Sequence, residues 1–399
     1  MTLTGRGRRW VLGGHPWVFA DDVADGEGEP GELLPVYDPN EHLLGWGLFS
    51  SSSKIAVRFV TRGEAQPNRA FWQARIAGAI ERRVRLGLLA PDGACRLLSG
   101  DAEGVPGLVV DRYRDVLVIQ VGTQGAERMR DFLVELVREA LPFDVRAVLD
   151  RSDLSVRRLE GLEERVEWLH GRVDGPLEIV EEPGLFEDSD VPRLVYGVSL
   201  EEGHKTGHYL DQRTNRQRAA VFAQGEDVLD AFSYDGLFGI RAALAGAKSV
   251  VCLDQSAACE VRVLANAERN GVADRVRFER GNAMHDLKRR ETEGERYGLV
   301  VVDPPAFARN KKELEGAQRG YRELNRRALS LTTPGGTVVT ASCSHAMKRA
   351  EFESILGQAS LQVERAAWFL ATTGAAPDHP VRAGLPETDY LKCAFLSVE

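Results

Sequence analysis

The sequence lacks the cysteine patterns of disulfide-bonded and zinc-binding proteins. Its 399 residues include only five cysteines, and these are scattered along the chain. They are Cys95, Cys252, Cys259, Cys343 and Cys393. No two of them form a Cys-x-x-Cys pair, and none has the Cys/His spacing of a zinc site. The sequence therefore predicts neither a disulfide framework nor a bound metal.

Long apolar runs are also missing. No stretch approaches the roughly 20 consecutive apolar residues that a membrane-spanning helix needs. Residues 2–9 are basic and polar, and no apolar core of an export signal follows them. We therefore expect a cytoplasmic protein without a membrane partner.

The chain has little excess positive charge, because its formal net charge is −9. Nucleic-acid binding depends on local patches rather than on the total charge, so a polyanionic partner is still allowed. Arg6, Arg8 and Arg9 form a basic cluster at the start of the chain. These three arginines are the candidate RNA-binding residues outside the active site.

The chain is too long for a single core, and its pattern predicts three domains. In residues 1–68, short apolar runs alternate with Gly, Pro, Asp and Ser turns, which favours a small β-barrel. Residues 69–190 mix helical and strand patterns, which is typical of a middle α+β domain. Residues 191–399 alternate strands with helices, which predicts an α/β fold with a doubly wound, Rossmann-like parallel sheet.

Polar residues follow four successive predicted strands of the last domain. The first loop, residues 230–236, lacks the Gly-x-Gly-x-x-Gly pattern of dinucleotide binding. Asp254 ends the next strand at about the 20-residue offset of a ribose-binding acid. Asn282 follows the third strand, where its side-chain amide could hydrogen-bond the exocyclic amine of adenine, and Asp303 ends the fourth. This order favours S-adenosylmethionine over NAD, although ordinary strand-end polar residues are the alternative.

The candidate cofactor-binding residues of these loops are Asp230, Phe232, Ser233, Tyr234, Gly236, Asp254, Gln255, Ser256, Asn282, Ala283 and Asp303.

The segment Asp303-Pro304-Pro305-Ala306-Phe307 predicts a stiff loop after a hydrophobic strand. Neither proline has an N–H group, so carbonyls and the Asp303 carboxylate can face a planar substrate amine. Phe307 could stack on the same ring. A base that is modified on its ring must leave its stack, and such a loop suits holding it. A plain strand-to-loop turn is the alternative.

Pro334-Gly335-Gly336 predicts a turn, and the strand predicted after it covers 337–341. Cys343 follows this strand, which places its thiol where α/β sheets bind ligands. Carbon 5 of cytosine is too weakly nucleophilic to take a methyl group directly. A thiolate that adds to carbon 6 activates the ring, whereas an exocyclic amine needs no such attack. Cys343 therefore favours carbon methylation, with His345 as a candidate base if the strand continues. A buried, inert cysteine is the alternative.

Together these motifs resemble the RlmI-type family of ribosomal RNA large-subunit cytosine-5 methyltransferases. The resemblance covers nearly the whole chain. It is carried by residues 14–17, 104–113, 150–153, 160–162, 205–213, 303–307, 342–344 and 378–380.

The resemblance implies a PUA domain that helps to hold RNA, S-adenosylmethionine as the cofactor, and large-subunit ribosomal RNA as the substrate. It implies that Cys343 is the nucleophile and that Asp303 contacts the target cytosine. Residues 205–213 resemble the loop that covers the cofactor, which adds Tyr209, Asp211 and Arg213 as cofactor-binding candidates and Lys205 as a substrate-binding candidate.

Two departures from the family pattern concern the site. Asn282 stands where many relatives carry Asp, and the Asp-Pro-Pro loop lacks the second cysteine that some RNA cytosine methyltransferases use for product release. Two other functions are still open: an RNA N-methyltransferase acting on guanine or adenine, and a non-catalytic ribosome-assembly factor that binds RNA. The sequence also allows a homodimer.

Overall fold

The computed structural model describes residues 1–184, 190–203, 205–308 and 311–399. The predicted domain boundary at 190 adjoins residues 185–189, which lie outside the described residues. Among the described helices, none is both long and apolar enough to cross a membrane.

The structure contains mixed β-sheets and α-helices. The strands are β1 (Thr2–Leu3), β2 (Trp17–Phe19), β3 (Val23–Asp25), β4 (Leu33–Tyr37), β5 (Leu43–Phe49), β6 (Ile55–Arg62), β7 (Ala94–Ser99), β8 (Leu108–Tyr113), β9 (Val116–Val121), β10 (Ala147–Ser152), β11 (Arg165–His170), β12 (Leu177–Glu181), β13 (Leu194–Val198), β14 (Asp227–Ala231), β15 (Ser249–Asp254), β16 (Val276–Arg280), β17 (Tyr297–Val302), β18 (Thr332–Ser342), β19 (Ala367–Thr373) and β20 (Lys392–Val398). The helices are α1 (Gly5–Leu12), α2 (Arg69–Arg85), α3 (Gln124–Ala140), α4 (Val156–Leu159), α5 (Arg213–Ala220), α6 (Leu237–Leu244), α7 (Ala257–Arg269), α8 (Ala283–Glu293), α9 (Leu314–Leu331) and α10 (Arg349–Gln362).

The chain forms two compact units. The first unit comprises Met1–Ile179, Val198–Leu210 and Pro377–Thr388, and the second comprises Val180–Gly197, Asp211–Ala376 and Asp389–Glu399. The predicted N-terminal domain and residues 69–179 of the predicted middle domain fall within the first unit, and the second unit begins at Val180. The division into three domains at 68 and 190 therefore stays a prediction.

The first unit contains two sheets, each with its own core. The six-stranded, barrel-like sheet has the order β2-β6-β5-β4-β1-β3, and the five-stranded sheet has the order β11-β10-β9-β8-β7. A buried ion pair between Arg58 and Glu160 links the β6 strand of the first sheet to the middle region, with 2.9 Å between nitrogen and oxygen. Helix α1 carries the basic cluster, and the sequence did not predict it because its eight residues include two glycines.

The second unit is built on a seven-stranded sheet with the order β16-β15-β14-β17-β18-β20-β19. Neighbouring strands from β16 to β18 pair in parallel, and β20 pairs antiparallel with β18 and β19. Every residue of β17 is buried, as expected for a central parallel strand covered on both faces. The predicted doubly wound α/β fold is confirmed.

Two strands of this sheet differ from the prediction. Strand β18 includes Pro334-Gly335-Gly336, which was predicted as a turn, and its pairing with β17 is irregular between Thr332 and Thr337. Gly335 keeps a left-handed φ of 80° there, so a turn-like residue is embedded in the strand. The edge strand β19 was not predicted, because Trp368, Phe369 and Leu370 are consecutive exposed apolar residues that break the alternation of a half-buried strand.

Candidate active site

The predicted site residues converge because the parallel strands end at one edge of the sheet. Ala231 pairs with Leu253 and with Val302, and Val302 pairs with Thr340. Residues that follow β14, β15, β17 and β18 therefore emerge side by side. The Asp303 N–H points to the Ala231 carbonyl at 3.5 Å, which places the two loops in contact.

The loop after β14 has an unusual backbone. Phe232, Tyr234 and Gly236 have φ values of 64°, 51° and 75°, and two of these three residues carry a side chain. Left-handed non-glycine residues cost free energy, about 1 kcal/mol or more each, and they cluster at ligand sites. The N–H groups of Phe232 and Ser233 both donate to the Leu253 carbonyl, at 2.9 and 3.1 Å. These hydrogen bonds bind the loop to the end of β15.

Asp254 organises this loop through its carboxylate. One oxygen accepts the Tyr234 N–H at 3.1 Å, and the other accepts the Ser256 N–H at 3.1 Å. The side chain is half-buried, whereas Gln255 and Ser256 are exposed. Asp254 therefore lies at the mouth of the site, where a ribose could reach its remaining acceptor positions.

Asp230 is more deeply placed than the sequence suggested. It is 1% exposed, and its carboxylate accepts the Gly239 N–H at 2.9 Å near the start of α6. Burial raises the pKa of Asp230 to about 7, and the negative charges of Asp303 and Asp254 add to that rise. Its visible role is to anchor α6 beneath the loop, and its contact with a cofactor stays a prediction.

Asn282 caps α8, which Ala283 begins. The Asn282 side-chain oxygen accepts the His285 N–H at 3.2 Å. The amide nitrogen is the group left to face a ligand. A donor of this kind suits a ring nitrogen of adenine better than the exocyclic amine that the sequence reasoning assigned to it. Asn282 is exposed and Ala283 is buried.

Ser233 carries a buried polar group without a partner. Its side-chain hydroxyl makes no hydrogen bond among the described residues, although the residue is only 8% exposed. Buried hydroxyls are nearly always paired, since an unpaired one costs about 1–3 kcal/mol. This hydroxyl lies in the loop after β14, next to Tyr234, whose N–H binds the Asp254 carboxylate. It suits a ligand with polar groups.

The Asp-Pro-Pro loop is supported by a packing contact with helix α9. Asp303 is half-buried, Pro304 is buried and Pro305 is exposed. The Phe307 ring packs at 4.6 Å, between centroids, on Tyr321 of α9. One face of Phe307 is therefore occupied by a protein ring, and its stacking on a substrate base stays a prediction.

Cys343 differs from the other cysteines in exposure. It is half-buried, whereas Cys95, Cys252, Cys259 and Cys393 are buried. Burial raises the pKa of the Cys252, Cys259 and Cys393 thiols, which makes them poor nucleophiles. Cys343 directly follows β18 and so reaches the edge where Asp303 emerges.

A hydroxyl network joins the Cys343 turn to the Asp-Pro-Pro loop. The buried Ser344 hydroxyl accepts the Ala308 N–H at 3.3 Å and lies 3.0 Å from the Tyr321 hydroxyl. Burial raises the pKa of Tyr321, so this hydroxyl stays protonated. The network connects the two loops that carry Asp303 and Cys343.

Lys392 is a neighbour of Cys343 that the sequence reasoning missed. It begins β20, pairs with Ser342 of β18, and is 2% exposed. Its ammonium donates to the Ser344 and Tyr390 carbonyls, both at 2.8 Å. A lysine within an otherwise apolar late strand was the available signal, because lysines are almost never fully buried without a reason.

His345 does not occupy the place that a base role required. Strand β18 ends at Ser342, so the strand alternation that would align His345 with Cys343 does not apply. His345 is exposed, and its ring stacks on Tyr390 at 5.5 Å between centroids. Nothing in this geometry favours His345 as the base.

The candidates of the covering loop are divided between the two units. Asp211 and Arg213 belong to the second unit, and Asp211 is buried and accepts the Tyr390 hydroxyl at 2.7 Å. Tyr209 and Lys205 belong to the first unit, where the Lys205 ammonium lies 4.4 Å from the Tyr209 ring centroid. Lys205 is exposed.

The basic cluster of the first unit is partly neutralised. Arg6 pairs with Asp22 at 2.5 Å, and Arg8 pairs with Asp38 at 3.1 Å. Arg9 is exposed and forms no ion pair among the described residues. Arg6 and Arg9 line a cavity of about 600 Å³ together with Trp10, Phe19, Ala20, Asp21, Asp22 and Lys54. No group of three metal-binding side chains was found in the part of the chain that the structure describes.

Comparison with known families supports this architecture. Residues 1–62 match the model of a PUA-like domain. Residues 153–359 match the model of S-adenosylmethionine-dependent methyltransferases.

Similar proteins cover nearly the whole chain. Ribosomal RNA large subunit methyltransferase I of Shewanella amazonensis is 38% identical over 384 residues, which cover 95% of this chain and 94% of the relative. The protein of the same name from Erwinia tasmaniensis is 36% identical over 395 residues, which cover 98% and 97%. The solved structure of SMU.776, complexed with SAH, shares the fold with a TM-score of 0.83 at 19% identity, over 100% of this chain and 99% of that one.

Proposed function

Since this chain belongs to the family of ribosomal RNA large subunit methyltransferase I, we propose that it methylates carbon 5 of a cytosine in large-subunit ribosomal RNA. The observation that carries this proposal is the half-buried Cys343 at the edge where the Asp303 loop emerges. A thiol at that place has no purpose in amino-group methylation, which needs only orientation of a lone pair.

S-adenosylmethionine is the cofactor of this enzyme, and when bound it supplies an electrophilic methyl group. The second unit fits such a cofactor in three ways. Asp254 offers acceptors for ribose hydroxyls, Asn282 offers a donor for adenine, and the unpaired Ser233 hydroxyl offers a further polar contact. The loop after β14 lacks the Gly-x-Gly-x-x-Gly pattern that holds a pyrophosphate, which suits a cofactor without phosphates.

The proposed chemistry begins at the Cys343 sulfur. The thiolate forms a bond to carbon 6 of the cytosine, and the electron pair of the 5,6 double bond moves toward carbon 5. Carbon 5 would then take the methyl group of bound S-adenosylmethionine, whose sulfur–methyl bond would break with its electron pair staying on that sulfur. A base removes the proton from carbon 5, and the electron pair of that bond restores the double bond and expels the thiolate. Cys343 thus ends in its starting state.

Asp303 is proposed to hold the target base during these steps. Its half-buried carboxylate can accept a hydrogen bond from the exocyclic amine of cytosine. The adjacent Pro304 and Pro305 have no N–H groups, so they offer only carbonyls to that amine. The Ser344 hydroxyl links this loop to the Cys343 turn, and it thereby holds the base-binding loop of Asp303 in place relative to the nucleophile.

The first unit is proposed to bind the RNA through its PUA-like domain. Arg9 is the best candidate for a contact to an RNA phosphate, because Arg6 and Arg8 already pair with aspartates. Contacts of such cations to phosphate would make binding dependent on salt. A ribosomal RNA substrate also supports the predicted cytoplasmic location. The homodimer stays a prediction.

The test replaces the proposed nucleophile. Cys343→Ala should lower methyl transfer to unmodified large-subunit ribosomal RNA by at least about 1,000-fold, because carbon 5 is not activated without the thiolate. Nucleoside mass spectrometry of the RNA measures 5-methylcytosine and distinguishes it from N-methylated guanine or adenine. Cys95→Ala, which removes a buried thiol of the first unit, is the control and should retain activity.

Three outcomes would contradict the proposal. Retained methylation in Cys343→Ala would favour the amino-group methyltransferase, for which the Asp-Pro-Pro loop suffices. Methylated purine in place of 5-methylcytosine would do the same. Failure of the native chain to methylate any ribosomal RNA that it binds would favour the assembly factor.

A further inference from the structure

Lys392 is a buried cation beside the proposed nucleophile. The residue is 2% exposed, and it lies opposite Ser342, the residue that precedes Cys343. A buried ammonium is costly unless its hydrogen bonds are satisfied. Its location at the carboxyl edge of the sheet therefore calls for a reason.

The hydrogen bonds of Lys392 account for only part of that cost. Two N–H groups donate to the carbonyls of Ser344 and Tyr390, each at 2.8 Å. The first of these carbonyls belongs to the residue directly after Cys343, so Lys392 holds the turn that carries the thiol. An ammonium has three N–H donors, and among the described residues only these two acceptors of Lys392 are found, which leaves one donor for an anion.

We propose that Lys392 is a positioning residue that holds the Cys343 turn and favours the thiolate form of Cys343. This inference rests on the proposed function, since it assigns a partner to the same nucleophile. The thiol proton leaves to solvent water, the electron pair of the S–H bond stays on sulfur, and Lys392 keeps its own proton. The resulting thiolate and ammonium form an ion pair at the edge of the sheet.

The surrounding charges are consistent with this pairing. Burial lowers the pKa of Lys392 to about 8, while the negative charges of Asp389 and of an ionised Cys343 raise it. Two groups on α10 act in opposite directions, because Arg349 lowers this pKa and Glu351 raises it. Lys392 is therefore mostly charged at neutral pH, and it gains from a thiolate next to it. Three further titratable groups lie at this turn: His345 and Tyr390, which stack on one another, and Tyr321, whose hydroxyl lies 3.0 Å from that of Ser344.

The test measures thiol reactivity without RNA, so it is independent of the methylation assay. The full-length protein is alkylated with iodoacetamide over a range of pH, and modification of the Cys343 peptide is followed by mass spectrometry. In the native protein the midpoint of alkylation should lie at a pH below the pKa of an ordinary thiol, which is about 8.5. A midpoint at or above that value would overturn the proposal without any variant.

Substitution provides the second arm. Lys392→Met preserves the length of the side chain and should raise the midpoint by at least about 1 pH unit, which lowers alkylation at pH 7 by about 10-fold. Lys392→Arg keeps the positive charge and should restore most of the shift. Lys288→Met is the matched control, because it removes an exposed lysine of α8 in the same unit.

A purely structural role would give a different result. If Lys392 only supports the fold, Lys392→Met would lower thermal stability and leave the midpoint of alkylation unchanged. That outcome would refute the inference while leaving the nucleophile role of Cys343 intact. The two experiments can also disagree in the other direction. If Lys392→Met shifts the midpoint of alkylation while Cys343→Ala still methylates RNA, the ion pair is supported and the proposed function is contradicted.

Discussion

The two halves of the carboxyl edge are built in different ways. Around β14 and β15, carboxylates accept backbone N–H groups of the loops that follow these strands, as Asp254 does from Tyr234 and Ser256. Around β17, β18 and β20, side chains from distant segments meet, as Tyr321 and Lys392 do at Ser344. The first half is formed by loops that bind to the strand ends, whereas the second half is formed by side chains from several parts of the chain. We therefore expect changes in the first half to alter cofactor affinity and changes in the second to alter the rate.

Asp254→Ala should give the largest difference between the effects of changes in the two halves. Loss of this carboxylate removes the acceptor for the Tyr234 N–H and for a ribose, so S-adenosylmethionine should bind at least about 100-fold more weakly. Isothermal titration calorimetry measures the dissociation constant. Cys343→Ala is the companion variant, and its dissociation constant should match that of the native protein. An unchanged affinity in Asp254→Ala would end the assignment of Asp254 to the cofactor.

Gly239→Ala tests how firmly the first half depends on its packing. A Cβ at this position would lie 2.7 Å from Val250 Cγ1 and 2.8 Å from Cys252 Sγ, closer than real contacts allow. The overpacking should cost about 1–3 kcal/mol of the free energy of unfolding. Denaturant unfolding measures this loss, and cofactor affinity should fall with it.

Gly357→Ala is the control for that substitution. Gly357 lies within α10, and a Cβ there would meet nothing within 4 Å. The change should stabilise the protein by about 0.5–1 kcal/mol, because alanine is the better helix former. Equal effects of the two substitutions would show that packing under α6 is not special.

The smallest expected effect comes from Tyr321→Phe in the second half. It removes the hydroxyl that lies 3.0 Å from the Ser344 hydroxyl and keeps the ring on which Phe307 packs. A lost hydrogen bond of about 1 kcal/mol should lower kcat about 5-fold, and cofactor affinity should not change. Tyr37→Phe is the control, since the Tyr37 hydroxyl makes no hydrogen bond in the described ranges. A weaker cofactor affinity in Tyr321→Phe would blur the distinction between the halves.

Local sequence was enough to predict where the strand that carries Asp254 ends in the first half. Strand β15 is an apolar run that ends in Asp254, and the parallel sheet brings this residue to the edge. Position along the chain therefore translated directly into position in space. The depth of Asp230 could not be foreseen, because it depends on how α6 packs over the strand.

The second half was predicted only in part. Cys343 was recognised from the end of its strand, but Lys392 was not, because its partner Ser344 lies 48 residues earlier in the chain. Antiparallel register between β18 and β20 creates that contact, and no short motif encodes it. In the same way, the pairing of Phe307 with Tyr321 depends on the path of α9, so the ring predicted to stack on a base is partly occupied.

The insertion of β20 between β18 and β19 has a consequence for translation. The ribosome completes both neighbours before it makes the strand that joins them, so on the nascent chain β19 emerges before the strand it pairs with. The Lys392 ammonium and the Ser344 carbonyl meet only when β20 inserts between β18 and β19. The seven-stranded sheet can therefore be completed only after β20 has been synthesised, although β18 and β19 precede it in the chain.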